Sequence, residues 1–168
     1  YRTTFTVPSD WKGEEVFLRF EKVASASFLW VNGQEVGYNE GAQETAEYNI
    51  TPYLKKGRNT LAMMVVKYSD GYYLEGQDYW RLAGIFDDVY LYATPKTRLF
   101  DWYGTTDLDK EYKDADLRIE ATVRSYDDVP VQSPLKVMAV LSDAEGKTVA
   151  ELESQEARFA PGSKSLTL

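Results

Sequence analysis

The side chains able to do chemistry are carboxylates, Lys, Tyr and Ser, because the 168 residues include no Cys and no His. This excludes triads and zinc sites built on His or Cys, thiol redox chemistry and disulfides, and limits any metal to a hard ion bound by oxygen. Paired carboxylates could serve a glycosidase. The candidate pairs are Glu14/Glu15, Asp87/Asp88, Asp107/Asp109 and Asp127/Asp128. Adjacent acids on a strand point to opposite faces and so cannot flank one bond. Most of these acids also lie in turn-like or charged stretches, so we interpret the pairs as solvated surface charge.

A more specific signal lies in segment 69–84, SDGYYLEGQDYWRLAG, which is rich in aromatic and acidic residues. Sugars bind with their C–H faces on aromatic rings and their hydroxyls on carboxylates and amides, so this composition is typical of a sugar site. The alternative is that large apolar residues merely anchor the segment, and we favour that reading for Trp80, Leu82, Ile85 and Phe86. For Asp78, spacing alone does not separate a ligand from a capping acid. The segment has no EF-hand spacing.

The elements that must position this segment are short alternating strands. Asn32-Gly33 predicts a type I′ hairpin, because both residues tolerate positive φ. Thr51, Pro52 and Gly57 predict a short helical turn with Thr51 as its cap and Gly57 at its exit. Residues 60–67 are apolar almost throughout, which predicts a central strand lying between two layers.

The chain reads as two domains separated near Thr94-Pro95-Lys96. Residues 117–123, 135–141 and 148–153 alternate as strands, which favours an immunoglobulin-like sandwich. Such a sandwich takes roughly 100 residues, so we expect residues 96–168 to hold only part of one. We therefore predict an all-β chain, with a jelly-roll sandwich over 1–95 and a truncated immunoglobulin-like sandwich over 96–168.

The net charge of the chain limits the classes of partner that it can bind. With 27 acidic and 19 basic residues the net charge is −8, which disfavours nucleic acid and anionic membrane surfaces. No apolar run is long enough to span a membrane.

The string SDGYYLEGQDYWRLAGIFDDVYLYATP (69–95) resembles the signature of the N-terminal sugar-binding domain of glycoside hydrolase family 2, closest to its large β-galactosidases. Three upstream segments agree in order: YRTTFTVP (1–8), FLRFEKVASASFLWVNGQEVGYNEG (17–41) and NITPYLKKGRNTLAMMVVKYSDG (49–71). The resemblance covers residues 1–95 and is positional beyond them.

The resemblance implies a fragment of a retaining exo-β-galactosidase that hydrolyses terminal β-galactosides. In that family a jelly-roll domain and an immunoglobulin-like domain precede a catalytic (β/α)8 barrel, which carries both catalytic glutamates. No residue here matches either glutamate, so we expect no catalytic residue and no turnover in the fragment alone. The chain would buttress the barrel and lend it one loop.

The resemblance also implies that Asp78 is both a substrate-binding residue, on the galactose 6-hydroxyl, and a ligand of a sodium ion. Magnesium is a further possible cofactor of the parent enzyme. The resemblance implies no ion bound to the isolated fragment, since the other ligands would come from the barrel. The partners it implies are a β-galactoside, the barrel of the same chain and further copies in a homo-oligomer. The compartment stays open between the cytoplasm and periplasm of a bacterium.

Two positions depart from the β-galactosidase pattern: Gly76 replaces an acid, and Asp87 replaces a common basic residue. The alternatives are a β-glucuronidase or β-mannosidase of the same family, a non-catalytic carbohydrate-binding module, and a purely structural sandwich. The string LEGQDYW favours a β-galactosidase over a β-glucuronidase or a β-mannosidase.

Overall fold

Alternating segments form antiparallel strands along the whole chain. The computed structural model describes residues 1–76, 78 and 80–168. The chain divides into two compact units, Tyr1–Pro95 and Lys96–Leu168. The prediction of an all-β chain is confirmed.

Strands of the first unit form two main sheets. They are β1 (Arg2–Thr6), β2 (Glu15–Phe20), β3 (Val23–Ala24), β4 (Ala26–Val31), β5 (Gln34–Asn39), β6 (Ala46–Asn49), β7 (Arg58–Val66), β8 (Gly84–Ile85) and β9 (Val89–Thr94). One sheet has the order β1-β7-β4-β5 and the other the order β6-β2-β9, while β3 pairs with β8. A short helix, α1 (Asp70–Leu74), and two 3-10 turns, Ser9–Trp11 and Thr51–Tyr53, lie between strands.

The core of this unit lies between the two main sheets. Leu29 and Met63 from the first sheet and Leu18 and Phe20 from the second belong to one buried cluster. Leu29 is fully buried and Phe20 is 1% exposed. Burial of this order stabilises a fold by roughly 25 cal/mol for each Å² of apolar surface, so this cluster holds the sheets together as a sandwich.

The hairpin at Asn32-Gly33 is confirmed. Both residues have positive φ, 53° and 82° respectively, as a type I′ turn requires. The Asn32 side chain also donates to the Tyr53 carbonyl (2.8 Å) and to Asn59 Oδ1 (2.8 Å), so the turn is bound both to the connection that precedes β7 and to the start of β7.

The predicted cap at Thr51 is wrong. Thr51 is the first residue of its 3-10 turn, and its hydroxyl accepts a hydrogen bond from the Val16 N–H (2.7 Å). A neighbouring strand thus competes for the oxygen that would have capped the turn. Asn49 Oδ1 accepts from the Thr51 N–H instead (3.0 Å). Gly57 does adopt positive φ, 81°, but it lies beyond the Leu54 cap of the turn.

Strand β7 occupies the centre of its sheet, between β1 and β4. It is not covered on both faces, because Met64 is 49% exposed whereas Met63 is 4% exposed. The expectation of a strand between two layers therefore holds for the Met63 face only. An apolar run does not by itself show whether the second face is covered.

The second unit also consists of antiparallel pairs. Its strands are β10 (Thr97–Leu108), β11 (Ala115–Ser125), β12 (Met138–Ser142), β13 (Thr148–Glu153) and β14 (Ser165–Thr167). One sheet has the order β10-β11-β14, and β12 pairs with β13. The strands predicted at 117–123 and 148–153 are confirmed, and the one at 135–141 begins later, after a bridge from Leu135 to Ala157. Its assignment as a partial immunoglobulin-like domain stays a prediction.

Within the described part of the chain, no helix is both long enough and apolar enough to cross a membrane.

Candidate functional site

Asp78 lies in a turn shortly after α1, and its side chain is exposed. Its chain neighbours Gln77 and Tyr79, which the sequence also proposes for sugar binding, lie outside the described residues. A carboxylate in this position is free to accept hydrogen bonds from sugar hydroxyls or to ligate a hard cation.

Helix α1 is positioned through its N-terminal cap. Ser69 caps it, accepting a hydrogen bond from the Tyr72 N–H (3.2 Å). The Ser69 hydroxyl is 2.6 Å from that of Ser25, which also lies 3.1 Å from the carbonyl oxygens of Val66 and Lys67. The start of the helix is thereby bound to the ends of β4 and β7.

Two carboxylates connect α1 to the segment that follows β5. Glu40 Oε1 accepts from the Gly71 N–H (2.9 Å), and Glu75 Oε2 accepts from the Ala42 N–H (3.2 Å). The second oxygen of Glu40 accepts from the Tyr38 hydroxyl. Each end of the helix therefore has its own contact with the same neighbouring segment.

These contacts shift the pKa values of Glu40 and Tyr38 in opposite directions. The hydrogen bond from the Tyr38 hydroxyl, and then the one from the Gly71 N–H, lower the pKa of Glu40 from 4.5 to about 2. The same bond to Glu40 raises the pKa of Tyr38 from 10.0 to about 12. Glu40 therefore remains a carboxylate, and Tyr38 a neutral donor, over the whole neutral range.

Tyrosine rings of α1 and of the residues just before it contact one another. Tyr72 meets Tyr68 and Tyr73 edge to face, each at a centroid distance of 5.2 Å. The Arg81 guanidinium lies over the Tyr72 ring, 5.1 Å from its centroid. Tyr72, Trp80 and Arg81 also line a cavity of about 40 Å³. Such a cavity holds a few waters at most, so it is too small for a sugar ring.

The anchoring interpretation holds for Ile85 and is wrong for Trp80. Ile85 packs against the core cluster, whereas Trp80 is 81% exposed, Leu82 54% and Phe86 45%. Burial in the described structure therefore does not explain the indole of Trp80.

Gly76 allows the approach of Arg81. A Cβ at position 76 would collide with the Arg81 guanidinium, whose central carbon would lie 2.9 Å away. A side chain at position 76 would therefore require the flexible end of Arg81 to shift.

The acids that are paired in the sequence have separate surroundings in the structure. The interpretation as solvated surface charge is wrong for Glu15, which is only 7% exposed and accepts a hydrogen bond from Asn49 Nδ2 (2.8 Å). Asp87 accepts from the backbone N–H of Asp88 (2.9 Å). Among the residues that the structure describes, no group of three or more acidic side chains could hold a metal ion. Asp78 is therefore not part of an acidic cluster among these residues.

Comparison with known sequences decides the family. The family description "Glycosyl hydrolases family 2, sugar binding domain" matches residues 1–95. The chain belongs to glycosyl hydrolase family 2. The resemblance inferred from the sequence is thus confirmed.

Family 2 relatives agree along the whole chain. A β-galactosidase of Priestia megaterium is 41% identical over 155 residues, covering 92% of this chain and 15% of its own length. A β-galactosidase of Clostridium acetobutylicum is 39% identical over 168 residues, covering 100% of this chain and 18% of its own length. The chain thus spans less than a fifth of these relatives.

A solved structure agrees at the level of the fold. The Bacteroides uniformis β-glucuronidase has a TM-score of 0.84 and 22% identity, and the match covers 99% of this chain and 20% of that one. At this identity the likeness concerns architecture alone.

Sequence reasoning overlooked Glu40. In the sequence it is one acid among many, between a predicted strand and Gly41. Tyr38 lies only two positions away, but Gly71 lies 31 positions away. The contact with Gly71 becomes visible only when β5 and α1 are placed side by side, so the sequence does not reveal that Glu40 holds the helix.

Proposed function

We propose that this chain is part of a retaining exo-β-galactosidase that hydrolyses terminal β-galactosides. The chain covers 15% of a β-galactosidase to which it is 41% identical, so the catalytic pair of carboxylates would come from another part of the enzyme. The role of residues 1–95 would be to support the catalytic barrel and to present segment 69–84 to the bound sugar.

The observation that carries this proposal is the presentation of Asp78. Its carboxylate is exposed on a turn that follows a helix held at both ends, and Trp80, two positions further along the chain, is 81% exposed. An exposed carboxylate and an exposed aromatic ring so near in sequence could meet the two needs of a pyranose, hydrogen bonding at its hydroxyls and stacking on its C–H face.

Asp78 has two compatible tasks in this proposal. It accepts a hydrogen bond from the galactose 6-hydroxyl, and it provides one oxygen ligand to a sodium ion completed by the catalytic barrel. When bound, the ion would supply positive charge that offsets the desolvation of the carboxylate. The chain's own contribution is to hold that carboxylate in place before the sugar arrives.

Substrate preference tests the proposal. The full-length enzyme that carries this chain is assayed with 4-nitrophenyl β-galactoside, β-glucuronide and β-mannoside, with residues 1–168 alone as control. We expect the full-length enzyme to prefer the galactoside and the isolated chain to show no turnover. Preference for the glucuronide or mannoside would contradict the proposed substrate, and turnover by the isolated chain would contradict a remote catalytic pair.

The exposed indole of Trp80 also supports a second candidate, a carbohydrate-binding module that acts without catalysis. Titration of the isolated chain with galactose, followed by tryptophan fluorescence, separates the two. Saturable binding that Trp80→Ala removes would favour the module. We expect no saturable binding by the isolated chain, since the catalytic domain would supply most of the galactose contacts.

A further inference from the structure

Two acidic side chains cross between the same pair of segments in opposite directions. Glu40, which follows β5, reaches the Gly71 N–H at the start of α1, with 2.9 Å between oxygen and nitrogen. Glu75, at the end of α1, reaches back to the Ala42 N–H, at 3.2 Å. Each segment therefore supplies one carboxylate and one backbone donor to the other.

The fit at the Glu40 end is close. A Cβ built on Gly71 would lie 3.0 Å from Glu40 Cγ and 3.4 Å from the Glu40 carbonyl oxygen. Only glycine lets the two backbones approach without displacement of Glu40. The Tyr38 hydroxyl holds the other carboxylate oxygen, so both oxygens of Glu40 are engaged and its orientation is fixed.

The helix that these contacts hold is too short to be stable unaided. It spans Asp70–Leu74, whereas isolated helices below roughly 12 residues are marginal in water. The connection from β7 to β8 that carries Asp78 therefore depends on tertiary contacts for its shape. Asp78 follows Glu75 by three residues, which places the second contact next to the turn that bears its carboxylate.

We propose that Glu40 and Glu75 form a reciprocal clamp that positions the Asp78 turn, so that Glu40 is a positioning residue for sugar recognition. Its consequence for catalysis rests on the proposed function, while its consequence for the order of α1 does not. In this proposal Glu40 acts through the position of the turn and not through its own contact with the sugar.

The test uses full-length enzyme with Glu40→Ala, Glu40→Gln and the control Glu44→Ala. Glu44 is an exposed acid in the same connection between β5 and β6, so its removal changes the net charge equally without touching the clamp. Hydrogen exchange at the Gly71 amide and galactoside kinetics are measured on each variant. We expect Glu40→Ala to exchange about tenfold faster or more at Gly71 and to raise KM about tenfold with little change in kcat.

Glu40→Gln keeps an acceptor oxygen for one of the two donors, so we expect partial rescue of both readouts, and wild-type behaviour from Glu44→Ala. Gly71 exchange in Glu40→Ala equal to that of the control would overturn the clamp. Faster exchange with a wild-type KM, in an enzyme whose Asp78→Ala variant is impaired, would overturn the positioning role.

The two proposals fail in different ways. If Asp78→Ala has wild-type kinetics while Glu40→Ala still exchanges faster, the proposed function is wrong and the clamp stands. If Glu40→Ala does not fold, Glu75→Ala tests the other half, with faster exchange at the Ala42 amide as the expected result and unchanged exchange as the contrary one.

Discussion

The two units share strand geometry but differ in burial. In the first unit Leu29 and Val31 are fully buried between two sheets. In the second, the paired strands β12 and β13 leave Val140 56% exposed, Val149 62% and Met138 67%. Alternating apolar and polar residues with turns between them are therefore enough to form strands in both units. A closed core also needs a second apolar sheet packed on the first. The structure shows such a pair of sheets in the first unit.

The strongest test of this contrast is the same substitution in both units. We expect Leu29→Ala to lower the free energy of unfolding by about 2–5 kcal/mol, because it leaves a cavity in a packed core. Leu152→Ala in β13, where the side chain is 40% exposed, should cost less than about 1 kcal/mol. Urea unfolding followed by circular dichroism measures both. A cost at Leu152 equal to that at Leu29 would mean that β13 belongs to a closed core.

Asp78→Ala separates function from stability within the first unit. The side chain is exposed, so we expect the free energy of unfolding to change by less than about 0.5 kcal/mol. In full-length enzyme, loss of a hydrogen bond to a charged group should lower kcat/KM for a galactoside by roughly 10- to 100-fold. Steady-state kinetics and urea unfolding on one preparation check both parts. A loss of stability that accounts for the loss of activity would support a purely structural role.

Replacing a glycine of positive φ by alanine should cost the same free energy of unfolding in both units, because this backbone strain does not depend on the packing of the core. Gly33 and Gly146 both have φ of 82°, and an added Cβ would meet nothing within 4 Å at either. We expect Gly→Ala to cost about 1 kcal/mol at each position. Gly41→Ala, without a positive φ, is the control and should cost less. Denaturant midpoints give the comparison, and a cost confined to Gly33 would refute a strain shared by both turns.

The smallest effect concerns pH and the clamp. The pKa of Glu40 falls from 4.5 to about 2 on folding, so its stabilising contribution is present above pH 4.5 and is lost as pH falls towards 2. The pKa of Tyr38 rises from 10.0 to about 12, so its contribution is present below pH 10 and is lost as pH rises towards 12. We expect Glu40→Gln to flatten the acid side of the stability profile of the first unit. An unchanged acid profile would contradict this assignment.

Local signals predicted the elements that short-range chemistry controls. The Asn32-Gly33 hairpin was predictable because positive φ is a property of those two residues. The role of Thr51 was not, because the Val16 N–H that takes its hydroxyl lies 35 positions away in the chain. The exposed face of β7 at Met64 was equally hidden, since an apolar run does not show what covers it.

For the candidate site, too, the sequence indicated some features and only the structure shows the others. Composition alone indicated sugar chemistry in segment 69–84, but the singling out of Asp78 came from family resemblance. The contacts that hold α1, from Glu40, Glu75 and Ser25, join segments more than 30 positions apart. Their geometry follows from sheet order and could not be read from spacing.

A substrate that lacks the 6-hydroxyl tests the central claim most directly. The kcat/KM of wild-type full-length enzyme and of Asp78→Ala is measured with an aryl β-galactoside and with its 6-deoxy analogue. We predict that wild type loses roughly 10- to 100-fold on the deoxy substrate and that Asp78→Ala hardly distinguishes the two. If Asp78→Ala discriminates between them as strongly as wild type, Asp78 does not recognise the 6-hydroxyl.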